Sequence, residues 1–309
     1  MVTTSAPTKI ILIGEHAVVY GKPGIALPVN LLTSVTMVPN TLQQMRMYSN
    51  IALTEKDRTT LQSFIQIIQD ALPKKSTAHF FDITIHTTAP QKMGFGTSAS
   101  VAVALTKALY AAHNTTIHES TILALALKLE QITHGTPSGI DHTTITCNTP
   151  ILFQKTPDLR WTPLPKLLDN AIFNQCFLLL TGCSEESTKE MVAQVRAQYE
   201  KAAADTQAIF DAIEHQTTAI QTSLTTENES DFHACINTVG MLLEDLHVVS
   251  PKVMAISQDI RKNHGACKIS GSGGKKGPGS GVLFVHHTNK EVIKSIAKKY
   301  TLEYIPLIA

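Results

Sequence analysis

Apolar positions along this chain follow two rhythms. An unbroken run over residues 9–13 (KIILI) predicts a buried strand, and residues 24–38, rich in Val, Leu and Thr, predict further strands broken near Pro28. Residues 60–72 carry Leu61, Phe64, Ile65, Ile68 and Leu72 at helical spacing, which predicts an amphipathic helix. Strict alternation over 81–87 (FDITIHT) predicts a half-buried strand. A Pro- and Gly-bearing loop at 89–96 leads into 98–112, whose density of Ala, Val and Leu fits a buried helix. Residues 120–133 predict another helix, with Ser120 as N-cap and Gly135 as its stop, and 143–153 reads as extended.

Pro157, Pro163 and Pro165 then crowd a short span, placing a domain boundary there and dividing the chain into 1–165 and 166–309. Beyond it the pattern predicts a strand at 177–181, two long helices near 187–215 and 229–247, and a helix at 251–263. A strand at 266–269, a glycine-rich loop, a strand at 282–286 and a last helix and strand complete the chain. Strands and helices interleave, so the class is mixed α and β.

With 309 residues and 43% hydrophobic composition, a sizeable core is within reach. Lys plus Arg is 26 against 25 Asp plus Glu, a formal charge of +1, which argues against a nucleic-acid footprint or a polybasic membrane anchor. The five cysteines (Cys147, Cys176, Cys183, Cys235, Cys267) are odd in number, widely spaced and free of any CxxC, so neither a disulfide framework nor a zinc cluster is expected. The apolar run at 10–13 is too short for a signal peptide, and no stretch of about 18 apolar residues exists. The expectation is a cytoplasmic protein with reduced thiols and no membrane or nucleic-acid partner.

Candidate chemistry concentrates in four places. In PQKMGFGTSAS two glycines let backbone N–H groups converge on an anion, and Thr97 and Ser98 sit where a helix begins, a setting suited to phosphate. The Ser98 hydroxyl could reach a Mg²⁺ held by the same phosphates. An ordinary glycine turn with a serine cap would read the same way locally. Gly94-x-Gly96-x-x-Ala99 formally matches a dinucleotide fingerprint, but a Pro-containing loop separates it from the preceding strand and Glu119 opens a helix instead of closing a strand. In EQITHGTPSGIDHTT, Glu130 lies near a helix C-terminus, where a cation would compensate its charge, and a tight loop holds Asp141, a candidate for orienting a hydroxyl in phosphoryl transfer. His134 and His142 read as capping or packing residues. Lys9 opens the first strand, with Glu15 and His16 at its exit. His16 could donate to a substrate hydroxyl or carboxylate, and nothing local brings Lys9 to Asp141. Finally, CKISGSGGKKGPGSG over 267–281 suggests a backbone that approaches something closely, with support of the first glycine loop as one option.

Taken together and in order, these segments resemble the GHMP kinase superfamily of galacto-, homoserine, mevalonate and phosphomevalonate kinases. KIILIGEHAVVYGKPGIALPV is similar to the first motif of its mevalonate kinase branch; PxxxGFGTSAS resembles the ATP loop, HGTPSGID the segment with the catalytic Asp, STKEMV another mevalonate kinase stretch, and KISGSGG the third motif. The resemblance implies an α+β, two-domain fold: an N-terminal ribosomal-S5-domain-2-like domain with a left-handed βαβ unit, a ferredoxin-like C-terminal domain, and an active site between them. It implies ATP and Mg²⁺ as cofactors, mevalonate as substrate and a homodimer. Asp141 would be the catalytic base with Lys9 beside it, and Ser98 and Glu130 would hold Mg²⁺. Gly94, Phe95, Gly96, Thr97, Ser98, Ala99 and Ser100 would wrap the phosphates, and Glu15, His16 and Thr188 would face mevalonate.

Departures from the pattern are Thr8 where Gly is usual, Phe95 for Leu, Thr97 for Ser, His142 where Asn is frequent, and the expanded third motif GSGGKKGPGSG. Competing readings are a sister kinase for galactose, homoserine or phosphomevalonate, a decarboxylase of the same fold, and a non-catalytic nucleotide- or sugar-binding regulator.

Overall fold

The computed structural model describes residues 1–42, 44–73, 80–134 (backbone only for His134), 137–155 and 159–308. Gly135, expected to stop a helix, and the His134 side chain lie outside the described set. In chain order the elements are β1 (Val2–Ile13), β2 (Gly24–Asn40), β3 (Arg46–Ser49), α1 (Glu55–Ala71), β4 (Phe80–Thr87), α2 (Thr97–Ala112), α3 (Glu119–His134), α4 (Ile140–Cys147), β5 (Ile151–Lys155) and β6 (Leu159–Pro163). They continue as β7 (Cys176–Leu180), α5 (Thr188–Lys201), α6 (Ala203–Thr225), α7 (Glu229–Asp245), α8 (Pro251–Lys262), β8 (Ala266–Ser270), β9 (Val282–His286), α9 (Lys290–Tyr300) and β10 (Glu303–Pro306). The fold is α+β.

Two compact units divide the chain, and they are not the contiguous pieces 1–165 and 166–309 expected from the Pro-rich span. The first comprises Met1–Lys9, Pro28–Gln91 and Gly96–Thr149; the second comprises Ile10–Leu27, Lys92–Phe95 and Pro150–Ala309. β1 and β2 therefore contribute residues to both.

In the first unit β4 pairs antiparallel with β2 (Thr33↔Thr87 to Asn40↔Phe80) and parallel with β3. The inward side chains of this sheet, among them Val35, Met37, Ile83 and Ile85, pack with Leu61, Phe64, Ile65 and Ile68 of α1. α1 begins at a capping box formed by Thr54 and Asp57. α2 is buried on most sides, as its Ala-rich composition requires, and packs with α3 and α4. Pro28 interrupts no strand: it falls between the β2 residues that pair with β5 (Gly24–Ala26) and those that pair with β4, where its missing N–H costs neither ladder a bond. α3 starts at Glu119, one residue before the expected cap Ser120.

The stretch expected to be extended from 143 is instead α4, followed by β5. Its β-branched threonines favour strands in isolation, but the Thr143 and Thr144 hydroxyls donate to the carbonyls of Gly139 and Ile140 at 2.7 Å, which satisfies buried hydroxyls inside a helix.

The second unit holds a four-stranded antiparallel sheet in the order β10-β7-β9-β8. That order, with helices between β7 and β8 and between β9 and β10, is the ferredoxin-like arrangement. Every residue of β7, β8 and β9 is buried. Phe232 of α7 meets Phe173 and Phe284 edge-on. The single helix expected near 187–215 is two, α5 and α6, parted at Ala202 (φ −140°, ψ 65°). No Gly or Pro marks that break, so the local sequence carried no signal for it.

Candidate active site

One cluster of chemistry-bearing residues belongs to the first unit. Lys9 is almost fully buried, and its Nζ lies 3.1 Å from Asp141 Oδ1. Asp141 sits in the first turn of α4, which starts after Gly139 (φ +98°). The pair is asymmetric: the Lys9 side chain is 3% exposed and that of Asp141 33%, so the carboxylate remains reachable while the ammonium does not. Gly96, the residue before α2, has φ +67°, and a Cβ there would stand 2.8 Å from Lys9 Cε and 3.4 Å from Asp141 Oδ2. Only glycine fits both the conformation and the space.

α2 begins with no side-chain cap and no acidic residue in its first turn, leaving its amino-terminal N–H groups available to an anion. Ser98 is exposed and Thr97 half-buried, whereas Ala99 and Ser100 are buried. The Ser100 hydroxyl donates to the Ala6 carbonyl at 3.1 Å, tying the helix to β1, so its part in the expected loop is structural. Phe95 is buried as well. Glu130, in the last turns of α3, is 4% exposed and its Oε2 lies 2.7 Å from His142 Nδ1, with His142 3% exposed. Glu130 thus has a hydrogen-bond partner on α4 at this helix end.

The second unit holds Glu15, His16 and Thr188. His16 has a positive φ of 59°, unusual for a non-glycine residue. Its Nε2 lies 3.1 Å from the Ser272 carbonyl, to which it must donate. Burial lowers its pKa to about 4, against the opposing pull of that carbonyl, so the ring is neutral near pH 7. A neutral ring that donates from Nε2 presents Nδ1 as an acceptor, which reverses the donor role expected for it. Thr188 opens α5, and its hydroxyl lies 3.2 Å from that of Ser272. Ser272 therefore links two of the expected residues.

Glu15 differs from expectation: its side chain is fully buried and ion-paired with Lys268 of β8, which also donates to the Ile11 carbonyl at 3.2 Å. Lys268 was not singled out in the sequence, although a lysine inside the five-residue run ACKIS, where the neighbouring apolar residues demand burial, is a signal that a buried partner exists.

The glycine-rich loop after β8 backs the loop at Met93 and Gly94. A Cβ on Gly94 would stand 2.7 Å from the Ser270 carbonyl, and Val282 N–H donates to the Met93 carbonyl at 3.1 Å. Both Lys275 and Lys276 are exposed, and the Lys276 amide donates to the Glu186 carboxylate. Burial would raise that carboxyl, but the Lys276 amide and Ser184 hydroxyl outweigh it and hold it below the usual range.

Residues 60–148 match the family profile described as the GHMP kinases N terminal domain. Over those residues the chain is similar to that domain. Among curated proteins, a mevalonate kinase of Pyrococcus horikoshii is 31% identical over 218 residues, covering 65% of this chain and 62% of that one. The chain thus spans less than two thirds of the length of that relative. A mevalonate kinase of Archaeoglobus fulgidus is 28% identical over 270 residues, covering 87% and 88%. The crystal structure of L. major mevalonate kinase in complex with R-mevalonate superposes with a TM-score of 0.82 at 19% identity, covering 100% of this chain and 97% of that one, a likeness of fold.

Proposed function

We propose that this chain is a GHMP kinase that phosphorylates the primary hydroxyl of mevalonate with ATP. The observation that carries the reading is the buried Lys9 ammonium paired with a reachable Asp141 carboxylate beside a glycine that leaves the space between them clear. The names of the two curated relatives, and the mevalonate in the L. major complex, support mevalonate as the alcohol.

In this reading Asp141 accepts the hydroxyl proton as the substrate oxygen attacks the terminal phosphorus, and Lys9 holds the carboxylate in place while offsetting negative charge on the transferred group. The uncapped N–H groups of α2 and the Ser98 hydroxyl bind phosphate oxygens.

Ser98 and Glu130 would hold Mg²⁺. Their oxygen donors suit a hard cation, and among the described residues no group of three or more His, Cys, Asp and Glu could hold a metal by itself. That sparse donor set fits an ion which keeps waters and phosphate oxygens as ligands. When bound, the metal neutralises phosphate charge. No described helix is long and apolar enough to cross a membrane; a cytoplasmic location and a homodimeric state belong to the same proposal.

The test is ADP formation with mevalonate, phosphomevalonate, galactose and homoserine at fixed ATP. Mevalonate should give the highest kcat/KM, and a higher value for any other alcohol overturns the assignment.

A further inference from the structure

The contact between Glu130 and His142 has a role beyond packing. Both side chains are almost entirely buried, and Nδ1 of His142 lies 2.7 Å from Oε2 of Glu130. A carboxylate oxygen at this distance is satisfied by a His142 ring that carries its proton on Nδ1 and donates it. His142 directly follows Asp141 in the first turn of α4. Successive helix residues point about 100° apart, so one rigid turn sends Asp141 towards Lys9 and Gly96 and His142 towards α3.

Resting on the reading of Glu130 as a metal ligand, we propose that His142 is a positioning residue that fixes the Glu130 carboxylate by one oxygen and so presents it to the divalent cation that accompanies the nucleotide. A carboxylate at the end of a side chain with three rotatable bonds has many orientations, and a donor clamped to one oxygen removes most of them before the ion arrives. Partners that orient a metal ligand in this way contribute roughly 10–100-fold to metal affinity. Because Asp141 and His142 share one turn, the clamp also couples the metal ligand to the carboxylate proposed as base.

The test is Mn²⁺ titration of the full chain in the presence of the non-hydrolysable nucleotide adenosine 5′-(β,γ-imido)triphosphate, following free Mn²⁺ by electron paramagnetic resonance. His142→Leu keeps bulk and removes the donor; it should weaken Mn²⁺ binding about tenfold or more, in the same direction as Glu130→Gln, while nucleotide affinity without metal stays unchanged. His142→Asn places an amide N–H at the same one-bond distance from Cγ as Nδ1 and should restore most of the affinity. If His142→Leu does not fold, His142→Ala with and without added imidazole gives the same contrast, with imidazole restoring Mn²⁺ binding. An Mn²⁺ titration in the leucine or alanine variant that matches wild type overturns the proposal, as does a deficit that neither asparagine nor imidazole repairs. Mevalonate turnover reports the underlying reading separately. A wild-type chain that binds Mn²⁺ with nucleotide through Glu130 but phosphorylates no mevalonate removes only the substrate assignment, whereas an unchanged Mn²⁺ titration in a mevalonate-active chain removes only the role of His142.

Discussion

Each unit contains a lysine paired with a carboxylate, and the two pairs are built for opposite purposes. Lys268 and Glu15 are both wholly buried in the second unit, where Lys268 also bonds the Ile11 carbonyl. In the first unit Lys9 is buried but Asp141 is one-third exposed and stands where Gly96 leaves room. The ionic chemistry is the same; access to the carboxylate differs. The sealed pair is closed to any ligand, while the open pair leaves a carboxylate that can serve the proposed role of base.

Removing one partner tests that contrast. Lys268→Met should destabilise the second unit by about 3–5 kcal/mol, because it breaks a fully buried ion pair by removing one partner, and the double variant Lys268→Met/Glu15→Leu should regain much of the loss. Urea unfolding reads both, and a single variant as stable as wild type would erase the distinction between the pairs. Lys9→Met leaves its carboxylate partly hydrated, so it should lower turnover by roughly 10²-fold with a smaller stability loss than Lys268→Met. A stability loss equal to that of Lys268→Met would make the first pair structural too.

A pH dependence separates the units from another side. Burial, with the nearby His233 and His287, lowers the pKa of His286 in the second unit to about 4. The unfolded chain then binds more protons between about pH 6.5 and 4, so stability is lost as pH falls through that window. Across the whole window the effect is roughly 3 kcal/mol, and His286→Gln should flatten this part of the stability–pH curve; an unchanged slope contradicts it. Gly96→Ala forces a Cβ against Lys9 at a positive φ and should cost about 1–2 kcal/mol together with several-fold lower turnover, whereas wild-type kinetics would show the close approach to be unimportant. Smallest is Ser187→Ala, which removes the N-cap of α5 and should cost about 1 kcal/mol in thermal unfolding, with no change expected at Asp141.

Much of the fold was legible because local and tertiary preferences agree. The spacing of Leu61, Phe64, Ile65 and Ile68 foretold the buried stripe of α1, and alternation foretold β4. Where they disagree, the reading failed: α4 is a helix despite its threonines because its neighbours bury it and its hydroxyls bond back to the helix. The break at Ala202 has no Gly or Pro to announce it. In the site, Gly96 and Asp141 were visible as motif residues, but their meeting with Lys9 lies in long-range folding that spacing does not encode. Lys268 was legible only as a charge in an apolar run, and the Glu130–His142 contact required the packing of α3 against α4.

The central claim is that Asp141 is the base of a kinase. Its most direct test is steady-state ATP-dependent turnover of mevalonate by Asp141→Asn, with nucleotide affinity measured on the same protein. Turnover should fall by roughly 10²–10⁴-fold while nucleotide affinity stays near wild type; turnover within about tenfold of wild type would contradict the account.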